Sequence, residues 1–68
     1  MLKQDLNRIK VVLVEKKKTQ TELAAVLKKG RVTINRYCNN ELQPSLETLY
    51  QIAEFLEVNV CDLLIKPN

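Results

Sequence analysis

The chain has 68 residues, with 11 Lys and Arg against 8 Asp and Glu for a net charge of +3, no histidine and two cysteines. That length predicts one domain near the lower size limit for a lone apolar core, and leaves little room for a deep substrate cavity. With no membrane-spanning apolar run, no signal-peptide pattern and no histidine beside two distant cysteines, the expectation is a cytoplasmic protein with reduced thiols, no metal and no cofactor.

Leu2, Leu6, Ile9 and Leu13 recur at helical spacing and predict a first amphipathic helix over 2–16. Lys16, Lys17 and Lys18 then break the pattern. Thr19-Gln20-Thr21-Glu22 follows, a threonine with a glutamate three residues later, which is the capping-box signature. A second helix over 20–28 therefore carries Leu23, Ala24 and Leu27 on its inner face.

Gly30 stands at the next start, where glycine is tolerated as a cap. A helix over 31–39 turns Ile34 and Tyr37 inward, with Val32, Cys38 or both partly covered, and leaves Arg31, Asn35 and Arg36 outside. Asn40 suits the left-handed residue that closes such a helix. Pro44 marks a loop, and Ser45 caps a fourth helix over 45–56 whose stripe is Leu46, Leu49, Ile52, Ala53 and Leu56. Asn59 and Asp62 sit at the cap and third position of a last helix over 60–65, which carries Leu63, Leu64 and Ile65. Nothing alternates with period two, so the predicted fold is all-α, a compact five-helix bundle with short connections. Tyr37 and Phe55 are expected in the core, and Cys38 and Cys61 as small buried hydrophobes.

Charge is unevenly distributed. Residues 1–40 hold ten Lys/Arg against three acids, +7, whereas 41–68 hold Lys66 against five acids, −4. Two solvated faces of unequal composition would explain this, and so would a basic face directed at a polyanion. The outward row on the third helix adds chemistry to the second explanation. An α-helix fits the major groove of duplex DNA, where arginine pairs with guanine, asparagine with adenine, and an aliphatic side chain packs on the thymine methyl.

"TQTELAAVLKKGRVTINRYCNNELQPSLETL", Thr19–Leu49, resembles the Cro and phage-repressor type of helix-turn-helix, the xenobiotic-response-element family. Its marks are Thr19-Gln20, Leu23-Ala24, Ile34, Tyr37, Asn39-Asn40 and Pro44-Ser45, in register without a gap. The resemblance implies a lambda-repressor-like fold and a double-stranded DNA partner. It implies base-reading roles for Arg31, Val32 and Asn35, with Val32 open to core packing instead. Gln20, Thr33, Arg36 and Asn39 take phosphate or mixed contacts, Gln20 also bracing the recognition helix. Relatives usually carry glycine where Lys17 and Lys28 stand, and an L-residue in a left-handed turn costs roughly 1–2 kcal/mol. Where many relatives bury an arginine against a glutamate, this chain has Leu13 and Cys38. Replacing both partners together avoids a stranded buried charge.

Three classes compete. An enzyme is disfavoured, because no nucleophile with an evident base, phosphate loop or metal spacing is present. A protein-interaction module, or an antitoxin that binds both toxin and DNA, is the alternative. The favoured expectation is a sequence-specific transcription regulator, a repressor or autoregulator, binding a palindromic operator as a homodimer. Its dimer contacts are expected from Phe55, Val58, Val60, Leu64 and Ile65, with no small-molecule ligand.

Overall fold

The computed structural model describes residues 5–65. Its elements are α1 (Ile9–Glu15), α2 (Gln20–Leu27), α3 (Arg31–Cys38), α4 (Leu46–Leu56) and a 3-10 turn at Val60–Leu63. The all-α class holds, but the expected five helices are four α-helices and one 3-10 turn. Both differences lie at the ends, and both have the same cause.

The first helix, expected from residue 2, begins at Ile9 (Leu2 lies outside the described residues). Asn7 stops it from extending backwards, because its Oδ1 accepts the Ile9 N–H at 3.1 Å and takes the place of the preceding helical turn. The last helix, expected to run to residue 65, ends at Leu63, and Leu64 is extended with φ −108° and ψ 148°. The two extended pieces pair instead. Arg8 N–H donates to the Leu63 carbonyl at 2.9 Å, Ile65 N–H donates to that of Leu6 at 3.1 Å, and Asn7 and Leu64 form an isolated antiparallel bridge. Leu6, Leu64 and Ile65 are consequently exposed rather than inside. So is Leu46, which heads α4 a turn ahead of its buried stripe.

Starts and stops follow the sequence closely. The Thr19 hydroxyl accepts the Glu22 N–H at 3.1 Å while Glu22 Oε1 accepts the Thr19 N–H at 3.0 Å, so the capping box is complete. Ser45 Oγ accepts the Thr48 N–H at 3.2 Å at the head of α4, and Asp62 Oδ2 accepts the Asn59 N–H at 3.3 Å at the 3-10 turn.

All four α-helices close in one way, with a left-handed residue: Lys17 at φ 57°, Lys28 at 56°, Asn40 at 59° and Glu57 at 57°. Beyond each, the next N–H reaches back five residues. Lys18 bonds Leu13, Lys29 bonds Ala24, Glu41 bonds Arg36, and Val58 bonds Ala53. This is the closure that usually carries glycine. The chain's one glycine is elsewhere, at Gly30, with φ −71° and ψ 156°, a conformation open to any residue. Three of the four closures therefore hold strained long side chains.

Every element contributes to one core. Ile9, Leu23, Ile34, Ile52 and Leu63 are wholly buried, with Val12, Leu13, Tyr37, Cys38, Leu49, Ala53 and Leu56 around them. Phe55, Val58 and Val60 rest half-buried against it. Cys61 is an exception to expectation. Its thiol is exposed, because it points off the 3-10 turn whose inward residue is Leu63.

The C-terminal end of α3 is fixed by a polar knot. Asn7, buried, gives its amide to the Tyr37 carbonyl at 3.0 Å and to Gln43 Oε1 at 2.8 Å. Asn40 Oδ1 accepts the backbone N–H groups of Leu6 and Asn7 at 2.8 and 2.9 Å, and its Nδ2 donates to the Asn7 carbonyl at 3.1 Å. Burying an amide is costly unless its donors and acceptors are met. Here they are.

Candidate nucleic-acid interface

α3 presents two faces. Ile34, Tyr37 and Cys38 are buried, and Arg31, Val32, Asn35 and Arg36 are exposed, with Thr33 and Asn39 half-buried between. Val32 is 68% exposed, so of its two readings the outward one describes this fold. Removing Ile34 from water is worth about 1.5–3 kcal/mol, enough to fix the rotation of so short a helix. The outward row then follows from the 3.6-residue period. Eight residues give a rod about 12 Å long and, with side chains, about 10–12 Å across, which fits a major groove about 12 Å wide.

The leading end of α3 is open. Gly30 provides no side-chain cap, so first-turn amides stay available to an anion, helped by the helix dipole. A Cβ on Gly30 would meet nothing within 4 Å. Lys28 and Lys29 are exposed in the turn just before. Lys28 takes the left-handed conformation at the place where the family's glycine was expected, and Lys17 does so at the other.

α2 packs against both α3 and α4 and sets its own head beside that of α3. Gln20, its first residue, is half-buried. The heads of the two helices are joined at the residue beside Gln20, where Arg31 Nη1 donates to Thr21 Oγ1 at 2.7 Å. Thr21 is not legible from the sequence, since an exposed threonine in a first helical turn carries no signal of its own. Asn39 Nδ2 donates to Asn35 Oδ1 across a long 3.4 Å, a weak tie that a better acceptor would displace. Glu22, which follows Thr21 in sequence, is folded back onto Thr19.

These exposed groups form a charged, hydrogen-bonding ridge on a rigid helix, and such a ridge suits recognition of a partner surface rather than bond making. A family model described as helix-turn-helix matches residues 9–63. The chain belongs to the helix-turn-helix family of the xenobiotic-response-element type. That family is one of DNA-binding regulatory domains. Among solved structures, a "putative DNA-binding protein" from Bacteroides fragilis is 48% identical, with a TM-score of 0.87 over 88% of this chain and 97% of that one. No curated protein matches the chain. In this helix-turn-helix, α2 is the first helix of the motif and α3 the second. Leu13 and Cys38 are both inside the core, and burial pushes the Cys38 thiol up against a smaller downward pull from Lys10.

The remaining basic and apolar residues divide between roles. Lys18 lies over the Phe55 ring with its Nζ 5.4 Å from the centroid, a cation–π contact that directs this lysine to the far end of α4. Of the expected dimer residues, Leu64 and Ile65 are exposed, beside Leu6 across the bridge, while Phe55, Val58 and Val60 are half-buried against the core. No helix among the described residues is long and apolar enough to cross a membrane.

Proposed function

We propose that the protein is a cytoplasmic, sequence-specific regulator of transcription, a repressor or autoregulator, in which α3 lies in the major groove of a palindromic operator. The observation that carries this reading is the outward row on α3, with Arg31, Val32, Asn35 and Arg36 exposed around an uncapped helix start. Arg31, Val32 and Asn35 read bases; Gln20, Thr33, Arg36 and Asn39 hold phosphates or share both tasks. One domain of this size makes few contacts, so the working form is a homodimer whose half-sites lie about one helical turn, ~10 bp, apart. Its contacts draw on Leu64, Ile65 and Leu6, with no small-molecule ligand required.

A fluorescence-anisotropy titration against mixed-sequence duplex at low and moderate salt tests the reading. Binding that weakens steeply as salt rises is the expected outcome, from release of phosphate counterions. No binding at any salt would point to a protein-interaction module or to an antitoxin-like partner surface. Arg31→Ala relaxes preference at one base of each half-site, whereas Gln20→Ala weakens binding evenly across sequences. Sedimentation that finds only monomer, free at tens of micromolar (~10–100 μM) and on DNA, would remove the dimer.

A further inference from the structure

We propose that Thr21 is a specificity-determining positioning residue: its hydroxyl holds the Arg31 guanidinium so that one fixed edge meets a guanine. This rests on the proposed function above and adds a residue that the family pattern does not assign.

Arg31 is the first residue of α3 and exposed. A long side chain there ordinarily samples many rotamers, and immobilising it on binding weakens the contact. Here it is already held. The bond from Nη1 to Thr21 Oγ1, at 2.7 Å, is charge-assisted, short, and joins the heads of the two motif helices. Because it uses Nη1, the donors left on the opposite side of the guanidinium are Nε and Nη2. These two N–H groups are parallel and match the paired O6 and N7 acceptors that guanine alone presents in the major groove. Thr21 accepts with its oxygen and retains its own proton, which at this exposed position can go to a phosphate oxygen. The hydroxyl then couples docking of α2 on the backbone to aiming of Arg31 at the base.

A threonine in a first helical turn can also be merely a helix residue whose hydroxyl meets an arginine by chance. The two accounts part on selectivity. Thr21→Val keeps shape and removes the acceptor; Thr21→Ser restores it. Wild type, both variants, Arg31→Ala and the double variant Arg31→Ala with Thr21→Val are titrated against the duplex selected by wild type, against the same duplex with the Arg31-dependent base pair changed, and against mixed-sequence duplex. Thr21→Val is expected to lower discrimination at that base pair by about three- to tenfold, a fraction of a full base contact, with the melting temperature unchanged. Thr21→Ser is expected to discriminate as wild type does. In an Arg31→Ala background, Thr21→Val should have no further effect at that position, which identifies coupling between the two. If Thr21→Val discriminates as well as wild type, or still lowers discrimination without Arg31, the positioning role is overturned while the DNA-binding reading stands. If wild type binds none of the duplexes, both fall.

Discussion

The two ends of α3 are built to opposite rules. At its C-terminal end, Asn40, Asn7, Gln43 and the Tyr37 carbonyl form a closed network in which a buried amide has its partners. At its N-terminal end the cap has no side chain, the preceding residues are exposed lysines, and one hydroxyl ties down the leading arginine. One end is fastened by the protein to itself; the other is left with hydrogen-bonding capacity for something else. Recognition is cheaper to build this way, since a groove-reading helix needs a rigid base and unsatisfied tips.

The largest effect is expected at the fastened end. Asn40→Ala removes the acceptor for the Leu6 and Asn7 amides and puts a Cβ-bearing residue with no local hydrogen bond at a positive φ. The expected loss of stability is about 2–3 kcal/mol, read as a shifted urea midpoint. Asn40→Gly separates the causes, because it relieves the backbone without replacing the bonds. If both variants match wild type, the knot does not hold α3.

Next come the helix closures. Lys28→Gly and Glu57→Gly each relieve a left-handed L-residue and are expected to stabilise by about 0.5–1 kcal/mol after the entropic cost of glycine in the unfolded chain. Only Lys28→Gly should also flatten the salt dependence of DNA binding, since Glu57 closes α4 in the acidic half. Equal effects of the two on binding would erase the assigned face.

At the open end the expected change is smaller and of opposite sign to Asn40→Ala. Gly30→Ser adds a cap where a Cβ meets no atom, and a gain of a few tenths of a kcal/mol in melting experiments is expected. It should also weaken DNA binding slightly by occupying a first-turn amide. A serine that destabilises would mean that Gly30 is needed for its shape.

The mildest effect concerns the thiols. Cys61 is exposed and Cys38 buried, so one thiol per native chain should react rapidly with a disulfide reagent, and two after denaturation. Burial raises the Cys38 thiol in the folded state. The unfolded chain therefore ionises first, and this contribution to stability is present below the ordinary thiol value and lost as pH rises past about 9. Cys38→Ala should make the alkaline decline shallower than in wild type, whatever its effect at neutral pH.

Much of this was legible in residues. Thr19 with Glu22, Ser45 and Asn40 each announce a local hydrogen bond or backbone state that tertiary packing had no reason to override, and the structure has all three. The outward row on α3 follows from Ile34 and Tyr37 by period alone. What stayed hidden depends on partners far along the chain. Leu6 fits a helical stripe until residues 6–8 pair with residues 63–65. Asn7 reads as one more polar residue until Asn40 and Gln43 come to it. Cys61 is outside because the final element is a 3-10 turn, whose tighter period puts Leu63 inward and leaves its neighbour in water. Thr21 gains meaning only once Arg31 is beside it.

Selection of bound duplexes from a random pool by wild type and, in parallel, by Arg31→Ala tests whether α3 reads bases in the groove. Wild type should return a two-fold symmetric consensus with a guanine in each half-site, and the variant should return the same consensus with that one position degenerate. A wild-type pool with no consensus, or a consensus that Arg31→Ala reproduces in full, would contradict the placement of α3 in the groove.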